Sequence, residues 1–196
     1  MRVDRQSGLM EGAKYIRSPN HDARPHGADI SLIVLHNISL PPGEFGGQGV
    51  NQLFTNHLDK NEHPFYEEIH ELRVSSHVFI RRDGEVIQYV PFHLRAWHAG
   101  VSCFEGQAVC NDYSIGIELE GTDDKPFREE QYAALDQVLT SLLATYPSLS
   151  PEKITGHEQI APMRKTDPGP CFNWHRVSDA MQTELPAIAV LNTTDE

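Results

Sequence analysis

The run ADISLIVLH, residues 28–36, constrains this chain more than any other stretch of similar length. Apolar and β-branched residues follow one another there without a helical period, so the segment reads as a buried strand. A strand of that kind offers no polar face to water and needs packed layers on both sides. Other segments supply them. YSIGIELEG, residues 113–121, reads as a second strand in which Ile115, Ile117 and Leu119 alternate with Gly116, Glu118 and Glu120. Both glutamates therefore share one face. In SSHVFIRRDGEVIQYVP, two β-rich runs flank Asp83-Gly84, a favoured type I′ pair, which predicts a hairpin. EKITGH reads as a short strand running into His157.

Helical spacing appears three times. Val50, Leu53, Phe54, His57 and Leu58 fall on one helix face. Residues 126–147 carry the clearest stripe, Tyr132, Leu135, Val138, Leu139 and Leu142, with acidic residues in the first turn and Pro147 just past the end. A last helix is expected over about 174–184. Strands in succession with a few long helices between them predict an α/β fold: a single domain with a mixed central β-sheet flanked by helices. The expected division is a tail over residues 1–12, one domain over 13–186 and a second tail over 187–196.

With 39 % hydrophobic and 22 % charged residues, the chain is globular rather than disordered. Its net charge of -12 argues against broad electrostatic binding to nucleic acid or to an anionic membrane. No apolar run reaches the length of a membrane span, and the first twenty residues show no signal-peptide pattern. Cys103, Cys110 and Cys171 are odd in number and read as free thiols, which makes the cytoplasm the expected compartment.

Candidate chemistry gathers at strand ends. His36 closes the 28–36 run and His157 follows another strand before a Gly/Pro-rich loop. Each is either a hydrogen-bonded structural histidine or one side of a shared cleft. With Asp167 they would make two histidines and a carboxylate, a recognised arrangement for catalytic zinc with the fourth position left to water. Glu118 is either a carboxylate at a solvated edge or a general base raised by partial burial, and Glu120 on the same face is its rival. Lys165, two residues before Asp167, is either a surface ion-pair partner or a cation that stabilises an oxyanion. Pro162, Pro168, Gly169 and Pro170 restrict the loop that carries both. Trp97 and His98 are candidate pocket walls, and His77 reads as a structural group. CFEGQAVC lacks the spacing of a redox or zinc cysteine pair.

Seven segments in order, SPNHDARP, LIVLHNISLPPGEFGG, QLFTNHLD, LRVSSHVFIRRDGEVIQYVPF, RAWHAGVSCFEG, CNDYSIGIELEGTD and ITGHEQIAPMRKTDPGP, resemble the type 2 N-acetylmuramoyl-L-alanine amidases. This is the zinc amidase family that shares its fold with peptidoglycan recognition proteins, and the resemblance spans about residues 14–180. It is closest to the cytosolic branch that cleaves 1,6-anhydro-N-acetylmuramyl peptides in cell-wall recycling. It implies zinc held by His36, His157 and Asp167, Glu118 as the catalytic carboxylate and Lys165 as the oxyanion-stabilising cation. It further implies an anhydromuramyl-peptide substrate, with Arg73 as the expected contact for the peptide carboxylates, Asn37 as a polar contact beside the metal and Trp97 packed on sugar or peptide. A monomer is expected. The sequence departs from the branch in a longer segment before Ala13 and in Met163 and Cys171. Alternatives of other kinds are a non-catalytic peptidoglycan-fragment binding module, a zinc amidase acting on intact peptidoglycan, and a metal-free cysteine hydrolase.

Overall fold

The computed structural model describes residues 1–182 and Leu185. Its centre is a six-stranded sheet of β1 (Lys14–Tyr15), β2 (Leu32–Ile38), β3 (Val78–Ile80), β4 (Val86–Gln88), β5 (Ser114–Glu120) and β6 (Ile154–Gly156). The strand order is β6-β2-β5-β3-β4-β1. All neighbouring pairs are parallel except β3 and β4, the predicted hairpin. The sheet is thus mixed, as expected. The hairpin turn differs from expectation. A type I′ turn needs positive φ at both central residues, and only Gly84, at +85°, is left-handed there. The Gly84 amide donates to the Arg81 carbonyl, and the Arg81 amide to that of Glu85.

Each face of the sheet has its own core. Ile33 and Leu35 of β2 and Ile115, Ile117 and Leu119 of β5 pack beneath α3 (Glu129–Thr145) and α5 (Trp174–Met181). The whole predicted stripe of α3 is buried there, each large apolar side chain contributing about 1.5–3 kcal/mol. On the other face Phe79 and Ile87 pack with Leu53, Phe54 and Tyr66 from α1 (Gly49–Phe54) and α2 (Pro64–Ile69). Since β2 and β5 alternate, His36, Gly116, Glu118 and Glu120 turn toward this second face.

Four boundaries move. β2 continues two residues past His36 to Ile38, and α1 stops at Phe54, leaving His57 and Leu58 outside it. His157 opens a one-turn helix, α4 (His157–Ile160), where a loop was expected. The last helix ends at Met181; the rest of its expected span, apart from Gln182, and the expected 187–196 tail lie outside the described residues. The expected 1–12 tail is folded. Arg2–Asp4 pairs antiparallel with Leu9–Glu11, and Val3 and Met10 are buried in the core beneath α3. The two-residue period of so short a ribbon is too brief to read from sequence. Among the described residues, no helix is long and apolar enough to cross a membrane.

Candidate active site

Three parallel strands deliver the site at their carboxyl ends, where open sheets gather ligands. Glu118 of β5 lies in register with His36 of β2. On the other side of β2, Gly156 of β6 pairs with Leu35, so the next residue, His157, falls beside His36. The loop after α4 then brings Asp167 over both rings. His36 Nδ1, His157 Nδ1 and Asp167 Oδ2 lie 3.0 Å from one another on all three edges. Among the described residues this is the one group of histidine, cysteine and carboxylate atoms close enough to hold a metal ion.

The donor set fits a tetrahedral ion. Bonds of about 2.0–2.1 Å place ligand atoms about 3.3 Å apart in such a site. Ring polarity agrees for His157. Its Nε2 is 3.1 Å from the Ala99 carbonyl, which only accepts, so Nε2 carries the hydrogen and Nδ1 offers a lone pair. Burial lowers the His36 imidazole to about 4, so the ring is neutral at physiological pH. Burial opposes ionisation of Asp167, yet hydrogen bonding to its Oδ2, which His36 Nδ1 is placed to donate, holds its carboxyl below the usual range.

The triad lies in a cleft of about 460 Å³ together with Asn37, Trp97, His98, Glu118 and Lys165. Leu40, Phe54, Phe65, Ile69, Leu72 and Val74 form an apolar wall that the sequence reading missed. Glu118 is 9 % exposed, and its Oε2 has no hydrogen-bond partner among the described residues. Desolvation, then the nearby Asp167 charge, raise its carboxyl well above the ordinary glutamate value, with Lys165 opposing. Glu120 occupies the same strand face but a different environment. Its Oε1 accepts from the Gly46 amide at 2.6 Å and its Oε2 from the Arg82 amide at 2.9 Å, with Arg81 Nη1 3.8 Å away. It ties the loop after β2 to the hairpin turn and is absent from the cleft lining. Glu120→Ala strands two amides and is expected to cost about 3 kcal/mol. Thermal unfolding should show a Tm about 6–12 °C lower.

Lys165 is exposed and is the one lysine or arginine of the lining. Backbone bonds hold its loop: the Lys165 amide donates to Ala161 and the Glu158 amide to Asp167. Asn37 adds Nδ2 bonds to Asp123 Oδ1 at 2.7 Å and to the Pro168 carbonyl at 3.0 Å. Met163 points wholly into solvent at φ +65° and does not alter the packing of the loop. Arg73 is not brought into the cleft. It is exposed, and its Nη1 caps the carbonyls of His70 and Leu72. Proximity to a strand in sequence did not fix the direction of so long a side chain. His77 is structural, as read: it is fully buried, accepts the Gly116 amide at Nδ1 and donates from Nε2 to Leu94. Cys110 is buried against Tyr113, away from the triad. His98 contacts His36 directly, a role its position in sequence did not announce. Gly116 was the available signal, since a lone glycine inside a strand marks a close approach; a Cβ there would sit 2.4 Å from His98 Cγ.

A mixed sheet with this cleft at its strand ends has the architecture of an amidase. The sequence pattern described as N-acetylmuramoyl-L-alanine amidase matches residues 26–170, and the chain belongs to that family. It is 52 % identical over 178 residues to the 1,6-anhydro-N-acetylmuramyl-L-alanine amidase AmpD of Enterobacter cloacae, covering 91 % of this chain and 95 % of that protein. The crystal structure of a selenomethionine AmpD derivative is similar at a TM-score of 0.89 and 51 % identity, over 92 % of this chain and 99 % of that one. The Escherichia coli amidase AmiD in complex with the substrate anhydro-N-acetylmuramic acid-L-Ala-D-γ-Glu-L-Lys matches at a TM-score of 0.58 and 28 % identity, over 80 % of this chain and 60 % of that one.

Proposed function

We propose that the chain hydrolyses the amide between the lactyl group of 1,6-anhydro-N-acetylmuramic acid and L-alanine during peptidoglycan recycling, with zinc held by His36, His157 and Asp167. The observation that carries this reading is a three-atom donor set beside a buried, unpartnered carboxyl in one cleft. The AmpD and AmiD relatives support the substrate class. When bound, the ion would supply Lewis acidity and a water whose pKa falls to about 7.

The side chains supply the remainder. Glu118 Oε2 takes a proton from the attacking water, for which its desolvation makes it basic, and returns that proton to the leaving nitrogen of L-alanine. Lys165 donates from Nζ to the oxyanion that develops on the lactyl carbonyl. Asn37 and the apolar wall border the substrate, and Trp97 offers a ring to sugar or peptide. Lys165→Ala is expected to lower kcat about 10²–10³-fold with a smaller change in KM, as measured by steady-state kinetics. Three free cysteines among the described residues suit a reducing cytoplasm, and the net charge of -12 suits a protein that leaves nucleic acid and anionic membrane alone. The reading is of a monomer.

The test is incubation with 1,6-anhydro-N-acetylmuramyl-tripeptide, following free tripeptide by mass spectrometry. Release that stops with chelator and returns with zinc supports the reading. No release from zinc-loaded, folded protein overturns it in favour of a binding module.

A further inference from the structure

The two histidines of the triad turn the same nitrogen, Nδ1, to its centre, but they are held from behind by unlike partners. His157 Nε2 meets the Ala99 carbonyl, which also accepts Arg164 Nη2 at 2.7 Å. That oxygen can only accept, so His157 has one tautomer. His36 Nε2 instead lies 2.9 Å from His98 Nδ1, and His98 Nε2 lies 3.0 Å from Ser114 Oγ. Every member of this row can either give or take a hydrogen bond.

The row therefore has two self-consistent proton arrangements of equal charge. In the first, Ser114 Oγ–H donates to His98 Nε2, His98 Nδ1–H donates to His36 Nε2, and His36 Nδ1–H donates to Asp167 Oδ2 at 3.0 Å. In the second, the two bonds among His36, His98 and Ser114 reverse and the one to Asp167 is given up. His36 Nε2–H donates to His98 Nδ1, His98 Nε2–H donates to Ser114 Oγ, and His36 Nδ1 is left with a lone pair. The first removes repulsion between lone pairs converging on one point. The second is the form a cation needs.

We infer that His98 and Ser114 are positioning residues that form a tautomer relay, reversed when a divalent cation enters the triad. Each imidazole keeps one proton throughout: on both rings it moves from Nδ1 to Nε2 by exchange with solvent, and the serine hydroxyl rotates. The site thus gains its second nitrogen ligand with no net loss of a proton from His36. Local architecture serves this row. Gly116 leaves room for the His98 ring, and Asn111 Oδ1 fixes the segment by accepting the His98 and Ala99 amides at 3.2 and 2.8 Å. The inference rests on the reading of the triad as a cation site.

The experiment uses the full chain labelled with ring-¹⁵N histidine, recorded metal-free and zinc-loaded. The expected result is a change from Nδ1–H to Nε2–H at both His36 and His98, with His157 in the Nε2–H form throughout. Zinc affinity, read by competition with a chelating dye, should fall about 10–100-fold in His98→Phe, which keeps a ring over Gly116 but cannot accept. His98→Gln, whose amide can turn either end toward His36, should recover most of that loss. The relay is overturned if His36 is already Nε2–H without metal, if His98→Phe binds zinc as tightly as the parent, or if His98→Gln is no better than His98→Phe. Should His98→Phe fail to fold, the parent spectra and Ser114→Ala, expected to bind zinc more weakly, decide it. A parent protein that takes up no zinc overturns the triad reading instead, whereas zinc uptake without ring reversal overturns the relay alone.

Discussion

Glu118→Gln is expected to lower kcat about 10²–10⁴-fold while zinc still binds, because Glu118 is not one of the three convergent donors. The substitution keeps the shape of the side chain and removes its basicity. It separates a proton carrier from a merely structural carboxylate, because a buried carboxyl without a hydrogen-bond partner stabilises nothing when ionised. The sign with pH follows from the raised carboxyl. The fold favours its protonated form, so its contribution to stability is present below the ordinary glutamate pKa and is lost as pH rises through the raised value. Metal-free Glu118→Gln should therefore gain in Tm over the parent as pH rises from the ordinary glutamate pKa through the raised value, and keep that gain above it. In the parent enzyme the acid limb of kcat/KM should follow ionisation of Glu118 and vanish from the residual activity of the variant. A parent acid limb that persists unchanged in Glu118→Gln would assign the proton transfer to another group.

Zinc removal is expected to have the other large effect. Chelation should abolish amide hydrolysis and lower thermal stability together, because an ion held by the folded triad would find no such site in the unfolded chain. At free zinc a thousand times Kd, the stabilisation is about 4 kcal/mol, a Tm rise of about 8–16 °C for a chain of this size. Asp167→Ala removes the anionic member of the triad and should erase most of that zinc-dependent rise. Differential scanning calorimetry with and without zinc reads both. A parent Tm indifferent to zinc would remove the metal from His36, His157 and Asp167.

The strand into His36 was legible because an uninterrupted apolar, β-branched run has few alternatives, the strand of Glu118 because its apolar residues alternate, and α3 because its stripe repeats over about three turns. The donor types were legible too, since histidine and aspartate are metal-ligand chemistry wherever they occur. The resemblance to the amidases then named which of eleven histidines to choose, which periodicity could not do.

Tertiary structure decided the rest. A two-residue period puts Glu118 and Glu120 on one face and cannot separate them. Register separates them: Glu118 stands beside His36, while Glu120, one repeat further, meets the amides of Gly46 and Arg82. Arg73 and His98 show the same limit from opposite sides. One is turned from the cleft by carbonyls within three residues of it, and the other reaches a histidine 62 positions away. The sequence determined which segments must be strands and helices, because burial and periodicity act locally. Which charged side chain faces the cleft depended on pairings between distant segments, which no local pattern encodes.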